Sequence, residues 1–511
     1  MVASETDLLP GGKVGGVGDV LRGLPLALAE RGWQPIVLTP AYGMFNKLPG
    51  AEMQSEISVE FGGAEHSAEV WGIHGPDPRV EHLAIEHALL SPAGPGKIYC
   101  ADPPGRPFAR DATKFAFFAA AAAALVRDGA VDPDVVHLHD WHAGLYTVIR
   151  SFMPGFSGLR QIRTVFTIHN LALQGIRPLA GDESSLQAWF PGHHFPLHAV
   201  VDPRYSDCVN PMAAAIRLAD MVNTVSPTYA QEILLPSNAA HGFIAGEGLE
   251  ADLREVQREG RLIGILNGCE YPRQSRRRPG WQRLLTAIDD QIQAWRLSGD
   301  DDIQSMSAAS LASLPKRRPA SVLVSIGRLT AQKTALFLER TSDGKTALEA
   351  ILDRLGKKGV LIMLGSGDLA LEKRVAAVAN EYKNFLFLYG YSGELAELLY
   401  KAGDLFLMPS SFEPCGISQM IAMRAAQPCV VHGVGGLRDT VEDGVTGFVF
   451  DGATPLDQAD AFVAATDRAL TLQASDKEAW SKLRNCAATQ RFSWDIAAEA
   501  YEQQIYVPAR S

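Results

Sequence analysis

The chain has 511 residues, with 47 Lys+Arg against 58 Asp+Glu and a formal net charge of -11. At 47% hydrophobic and 21% charged residues it has a globular composition, which excludes wholesale disorder; at about 100–200 residues per domain it holds about two to four domains. The acidic balance argues against nucleic acid or an anionic membrane as partner, so any bound phosphate must meet a local cluster of basic groups.

The first predicted strand is Met1-Val2. It is too short for a full strand, and the expectation is a chain start truncated within it. The segment has neither the basic start nor the apolar stretch of a signal peptide, so a cytoplasmic protein is expected. The longest apolar run, Phe115–Val126, is rich in alanine. As a helix it spans about 18 Å against a hydrocarbon core of about 30 Å, which predicts a buried helix and no membrane partner. Short apolar, β-rich runs follow one another at Pro35–Thr39, Val135–His139, Thr164–His169 and Met221–Val225, then at Ser321–Ser325, Val360–Gly365, Phe385–Tyr389, Leu405–Met408 and Pro428–His432. Continuous apolar strands separated by helical patterns predict parallel sheets covered on both faces, with ligands at the carboxyl ends of the strands. Between about 268 and 320 a basic run from Arg273, an acidic run from Gly299 and a basic run from Lys316 flank a surface helix, Trp281–Leu297, where the chain is expected to cross between domains. The fold class read from this pattern is α/β, with two doubly wound Rossmann-like domains facing each other across a cleft.

Five strand ends carry residues suited to chemistry. In Lys13-Val-Gly-Gly-Val-Gly-Asp-Val20 the glycines permit close approach to a ligand and a helix starts near Asp19, so the segment is either a plain glycine turn or a phosphate or sugar cradle. Val135-Val-His-Leu-His-Asp-Trp-His142 places its carboxylate one position early for a metallo-hydrolase pattern. His137 and His139 share one side of a strand and Asp140 takes the other, so metal ligation is disfavoured and Asp140 is read as a hydrogen-bonding partner for a sugar hydroxyl. Thr164-Val-Phe-Thr-Ile-His-Asn170 delivers His169 and Asn170 to the same edge, as structural or functional groups. In Ser325-Ile-Gly-Arg-Leu-Thr-Ala-Gln-Lys333, Arg328 and Lys333 are either solvated cations or a pair suited to a diphosphate. In Met408-Pro-Ser-Ser-Phe-Glu-Pro-Cys-Gly416, Glu413 sits in a turn stiffened by Pro414, and Gly435-Gly436 forms a second close-approach loop. Cys415 has no histidine nearby in sequence to activate it as a nucleophile. The six cysteines are scattered, with no C-x-x-C pair, and the two D-x-D strings, at Asp132–Asp134 and Asp300–Asp302, lie outside strand ends; neither pattern supports a metal.

Together and in this order the motifs resemble those of the bacterial glycogen synthase and plant starch synthase family. The resemblance rests on K-V-G-G-V-G-D-V, H-L-H-D-W-H-A-G-L, T-I-H-N-L-A-L-Q-G, N-T-V-S-P-T-Y-A, G-I-L-N-G, G-R-L-T-A-Q-K, F-E-P-C-G and G-V-G-G-L-R-D-T-V, and covers nearly the whole chain. It implies the two-domain GT-B architecture, ADP-glucose and an α-1,4-glucan as substrates, retention of configuration and no metal or other cofactor. Residue by residue, it implies that Lys13, Gly15 and Gly16 meet the donor phosphates and sugar, and that Asp140, His169 and Asn170 line the glucose and acceptor side. Arg328 and Lys333 would neutralise the departing diphosphate, and Glu413, with Cys415 and Gly416 in its turn, would stand beside the transferred glucose. Tyr391 would stack on adenine, Gly435 and Gly436 would form the second phosphate loop, and Asn267 falls in the matched G-I-L-N-G. The resemblance also implies a division into residues 1–265, joined by a C-terminal helix at 490–511, and residues 266–489, with hinge closure assembling the site. Departures from the family pattern are Val17, Leu173, Glu270, Thr334 and Arg438. Two rivals remain: a related transferase using UDP-glucose, and a non-catalytic glucan-binding homologue.

Overall fold

The computed structural model describes residues 1–271, 277–298 and 301–507. The basic run from Arg273 and the acidic run from Gly299 fall partly outside the described residues. The chain divides into two compact units, one made of Met1–Ser237, Ala245–Glu270 and Ser493–Ser511, the other of Asn238–Ile244 and Tyr271–Phe492. Residues 238–244, which no sequence signal singled out, group with the second unit.

In the first unit, strand Ile36–Pro40 and strand Val135–His139 do not pair directly. Val2 lies between them and forms parallel bridges to both Leu38 and Leu138. The short first strand is thus the seam of one sheet, and its burial follows from having a neighbour on each side. On one flank Ile36–Pro40 pairs in parallel with Glu81–Glu86; on the other, Val135–His139, Arg163–Ile168, Met221–Thr224 and Leu262–Gly264 run parallel in turn. Parallel strands need covering on both faces, which explains why they read as continuous apolar runs. Helix Ala109–Arg127 packs on Trp141–Phe152, and its run of buried alanines permits close packing. Helix Trp494–Tyr501, from the far end of the chain, packs on Gly16–Glu30; a Cβ at Gly23 would lie 2.0 Å from Trp494 Nε1, so only glycine fits there. No described helix is long and apolar enough to cross a membrane.

Strands Glu52–Phe61 and Ala64–Ile73 form an antiparallel hairpin beyond Glu81–Glu86. No continuous apolar run marks it, because Glu52–Phe61 begins exposed and then alternates, the pattern of a strand with one wet face.

Among the described residues of the second unit six strands form one parallel sheet, in the order Phe385–Tyr389, Gly359–Gly365, Ser321–Ile326, Leu405–Met408, Cys429–His432, Gly447–Phe450. Numbered along the unit this is 3-2-1-4-5-6, the doubly wound order whose reversal opens a crevice at the carboxyl ends of strands 1 and 4. Residues 327–333 follow one of those strands and 409–416 follow the other. The first unit repeats the same reversal around Val2, with residues 4–15 and 140–142 emerging beside it.

Candidate active site

At the reversal point of the second sheet, helix Ala331–Leu338 begins with Thr330 as its cap and Lys333 in its first turn. Lys333 Nζ forms an ion pair with Glu413 Oε2, which also accepts a hydrogen bond from Ser410 Oγ at 2.9 Å. Glu413 is buried, and both of these partners meet the same carboxylate oxygen. Gln332 staples helix to loop: its side-chain amide donates to Phe412 O at 2.9 Å, and its carbonyl accepts from Ser411 N at 2.8 Å. Arg328, just past its strand, is exposed.

The loop holding Glu413 rests on the second glycine loop. A Cβ at Gly435 would lie 2.0 Å from Glu413 O, and one at Gly436 would lie 2.2 Å from Cys415 O. Gly435 also has φ +42, and Gly436 N donates to Glu413 O at 3.1 Å. The close approach these glycines serve within this unit is thus to the backbone around Glu413. His432, packed flat on Phe450, meets Ser410 O at 3.0 Å through Nδ1 and supports the same loop. Cys415 is buried in this turn, and Gly416 adopts φ +75, where a Cβ would meet Gln419 Oε1 at 2.6 Å.

The first unit presents a different chemistry. Asp140 has φ +55, unusual for a non-glycine residue, and this turns its carboxylate back along the sheet edge. Its Oδ1 accepts from His169 N at 2.8 Å and Asn170 N at 3.4 Å. Asp140 therefore holds the neighbouring strand end in place. Burial pushes its pKa up to about 7, against the lowering effect of the two amides. Burial also pushes His169 down to about 3 and His139 well below the usual histidine range, so both rings are neutral. His169 Nε2 lies 3.0 Å from His139 Nδ1. His137 turns to Tyr506 Oη, at 2.8 Å, and to Thr167 Oγ1. Among the described residues no group of three or more His, Cys, Asp or Glu is placed to share a metal ion.

The Lys13 loop is tied down by acids. Glu5 Oε2 accepts from Val14 N at 2.8 Å and Gly15 N at 2.5 Å, while Lys13 Nζ pairs with Asp19 at 2.5 Å and Asp7 at 3.3 Å. Burial opposes the Lys13 charge, yet Asp19 and Asp7 raise its pKa overall. Gly15 caps helix Gly16–Glu30, and a Cβ at Gly16 would meet nothing within 4 Å, so this turn leaves open space at the helix start.

Asn170 uses its side-chain oxygen locally, on Ala172 N at 2.9 Å, whereas Asn267 is buried with Oδ1 unpartnered among the described residues. Tyr391 is 73% exposed, as a stacking platform requires. Of the departures, Thr334 is buried inside helix Ala331–Leu338, Leu173 is exposed, and Glu270 pairs with Arg22 at 2.8 Å. Arg438 bonds Gly433 O at 2.8 Å and Asp451 at 2.6 Å, bracing the glycine loop from outside. Sequence reasoning missed Glu5, Gln332, Ser410 and His432. Gln332 and His432 act through partners 80 and 22 residues away, and Glu5 reaches past a turn to Val14 and Gly15; the one local signal was that Ser410 precedes Glu413 within the same turn.

A family model for the starch synthase catalytic domain matches residues 1–255, and one for group 1 glycosyl transferases matches residues 320–471. A glycogen synthase from Anaeromyxobacter dehalogenans is 35% identical, covering 98% of this chain and 97% of that protein. One from Francisella philomiragia is 31% identical over the same shares. The structure is similar to the catalytic domain of starch synthase IV from Arabidopsis thaliana, solved bound to ADP and acarbose, with a TM-score of 0.77 at 26% identity, covering 99% of this chain and 97% of that one. Sucrose-phosphate synthase from Thermosynechococcus elongatus shares the fold alone, with a TM-score of 0.52 at 19% identity and 96% and 92% of the two chains covered.

Proposed function

The chain belongs to the glycogen and starch synthase family of GT-B glycosyltransferases, and on that premise we propose that it transfers glucose from ADP-glucose to the non-reducing 4-hydroxyl of an α-1,4-glucan. In this reading the anomeric configuration is retained, no metal takes part, and the enzyme works in the cytoplasm. The observation that carries it is the Lys333–Glu413 pair at the strand reversal of the second sheet, with Arg328 exposed at the end of the adjoining strand.

Breaking the bond between glucose and diphosphate places negative charge on the leaving oxygens and positive charge on the sugar. Lys333 and Arg328 oppose the first, as fixed cations at a strand end can without a metal. Glu413, held by Lys333 and Ser410, opposes the second as a carboxylate in a rigid turn. The bond from sugar carbon to phosphate oxygen breaks while one to the acceptor oxygen forms on the same face, and the departing phosphate takes the acceptor proton. Lys13, Gly15, Gly16, Gly435 and Gly436 would approach the donor, Tyr391 its adenine, and Asn267 and the Cys415-Gly416 turn the sugar. On the first unit, Asp140 holds His169 and Asn170 at the sheet edge facing glucose and acceptor.

The test is glucose incorporation into glycogen with ADP-glucose and UDP-glucose side by side in EDTA. Turnover with ADP-glucose in EDTA is expected. Turnover with UDP-glucose alone would overturn the donor assignment, and glycogen binding without turnover would establish a non-catalytic homologue.

A further inference from the structure

His139 has no place in the mechanism above, yet it is fully buried, and among the described residues its side chain's one hydrogen-bond contact is with His169. Its Nε2 is sealed from solvent and has no partner among the described residues. The ring is stacked on His137, with centroids 4.1 Å apart, so it cannot swing to find another acceptor without losing that packing.

Two neutral imidazoles joined by one hydrogen bond have two arrangements. In one, His169 donates from Nε2 to His139 Nδ1; His139 must then carry its own proton on Nε2, as a buried N–H with nothing to receive it. In the other, His139 donates from Nδ1 to His169 Nε2, and its sealed Nε2 is a bare lone pair. An orphaned buried N–H is the rarer of the two defects in proteins, which selects the second arrangement. His169 must then carry its proton on Nδ1. That atom bonds no described residue and is not among the sealed polar atoms, in a residue that is 9% exposed at the strand end.

We propose that His139 is a positioning residue that fixes His169 as the Nδ1–H tautomer, so that His169 presents a hydrogen-bond donor, and not an acceptor, to a sugar hydroxyl. The functional half of this inference rests on the glucosyltransferase reading; the tautomer itself does not. Asp140 completes the arrangement by holding the His169 backbone, so ring and main chain are set by adjacent residues of one motif, H-L-H-D.

The experiment has two arms on the full-length protein. Two-bond 1H–15N spectra of 15N-histidine-labelled enzyme, with His169 assigned by its loss in His169→Gln, report which ring nitrogen holds the proton. The expected result is a protonated Nδ1 and a bare Nε2 in the wild type. A proton on Nε2 would overturn the proposal, whether or not the protein transfers glucose. The second arm compares His139→Leu with His139→Asn, whose side-chain N–H takes the place of the Nδ1–H. His139→Leu is expected to shift His169 toward the Nε2–H form and to lower kcat about tenfold with little change in KM for ADP-glucose; His139→Asn is expected to restore kcat to within about threefold and to restore the tautomer. Equal kcat values for the two variants, with His169 in the same tautomer in both, would overturn it. Absence of turnover in the wild type itself, with the Nδ1–H tautomer present, would defeat the glucosyltransferase reading and leave the tautomer assignment standing.

Discussion

Each unit has a point where its strand order reverses, and the two use that point differently. In the second unit the strand ends deliver full charges: Lys333 bound to a buried Glu413, with Arg328 exposed. In the first, the ends of Val135–His139 and Arg163–Ile168 deliver buried groups whose charge is suppressed, with His139 and His169 neutral and Asp140 titrating near 7, while the neighbouring Lys13 spends its charge on Asp7 and Asp19. Topology thus decides where chemistry can sit, while burial and pairing decide what chemistry it is. A charged end suits a diphosphate, and an end with little charge suits sugar hydroxyls, which need oriented hydrogen bonds more than charge.

The sharpest way to break this contrast is to remove the ion pair. Lys333→Ala leaves Glu413 buried without its cation and, in the proposed mechanism, takes a cation from the leaving group; kcat is expected to fall about 10³-fold, as is that of Glu413→Ala, with far-UV circular dichroism unchanged. Near-wild-type rates in either variant would erase the distinction between the two ends.

Gly435→Ala attacks the loop that carries Glu413. A methyl group 2.0 Å from Glu413 O at φ +42 forces the two loops apart. We expect a loss of about 3 kcal/mol, read as a lowered midpoint in urea, together with lost activity.

Asp140→Asn probes the other end. A carboxyl whose folded pKa is about 7, above the unfolded value of about 3.9, is favoured in its protonated form by folding, so its contribution to stability is lost as pH rises from about 4 to about 7. Asparagine keeps an acceptor oxygen for the His169 and Asn170 amides and cannot ionise. The stability difference, variant minus wild type, is therefore expected to grow in favour of the variant across that window and to level off above it, read by thermal melts at stepped pH. A difference that does not change with pH would mean that Asp140 is not held near neutrality.

Arg438→Ala should matter least. Its pair with Asp451 is half exposed, and such pairs contribute about 0–1 kcal/mol, so Tm should move by about 3 °C or less.

Much of the fold was readable because most strands are parallel and buried, and Gly359–Gly365 and Phe385–Tyr389 carry that burial as unbroken apolar runs. The hairpin from Glu52 was not readable by that rule, since half of its side chains face water. At the site, the cations of G-R-L-T-A-Q-K and the acid of F-E-P-C-G were legible as types of residue following a strand. Their pairing was not, because Lys333 and Glu413 lie 80 residues apart in the chain. Nor did spacing show that Glu5 accepts from the amides of Val14 and Gly15, or that Gly435 also makes room for the backbone at Glu413.

By itself the sequence determined the residue types at each strand end, the alternation of strand and helix, and a motif order shared with one family, because those depend on local periodicity and composition. Only the tertiary structure decided which of those residues are charged, which are neutral, and which oxygen or ring nitrogen is already engaged. Protonation and hydrogen bonding depend on burial and on neighbours brought together by the sheet, and spacing along the chain carries neither.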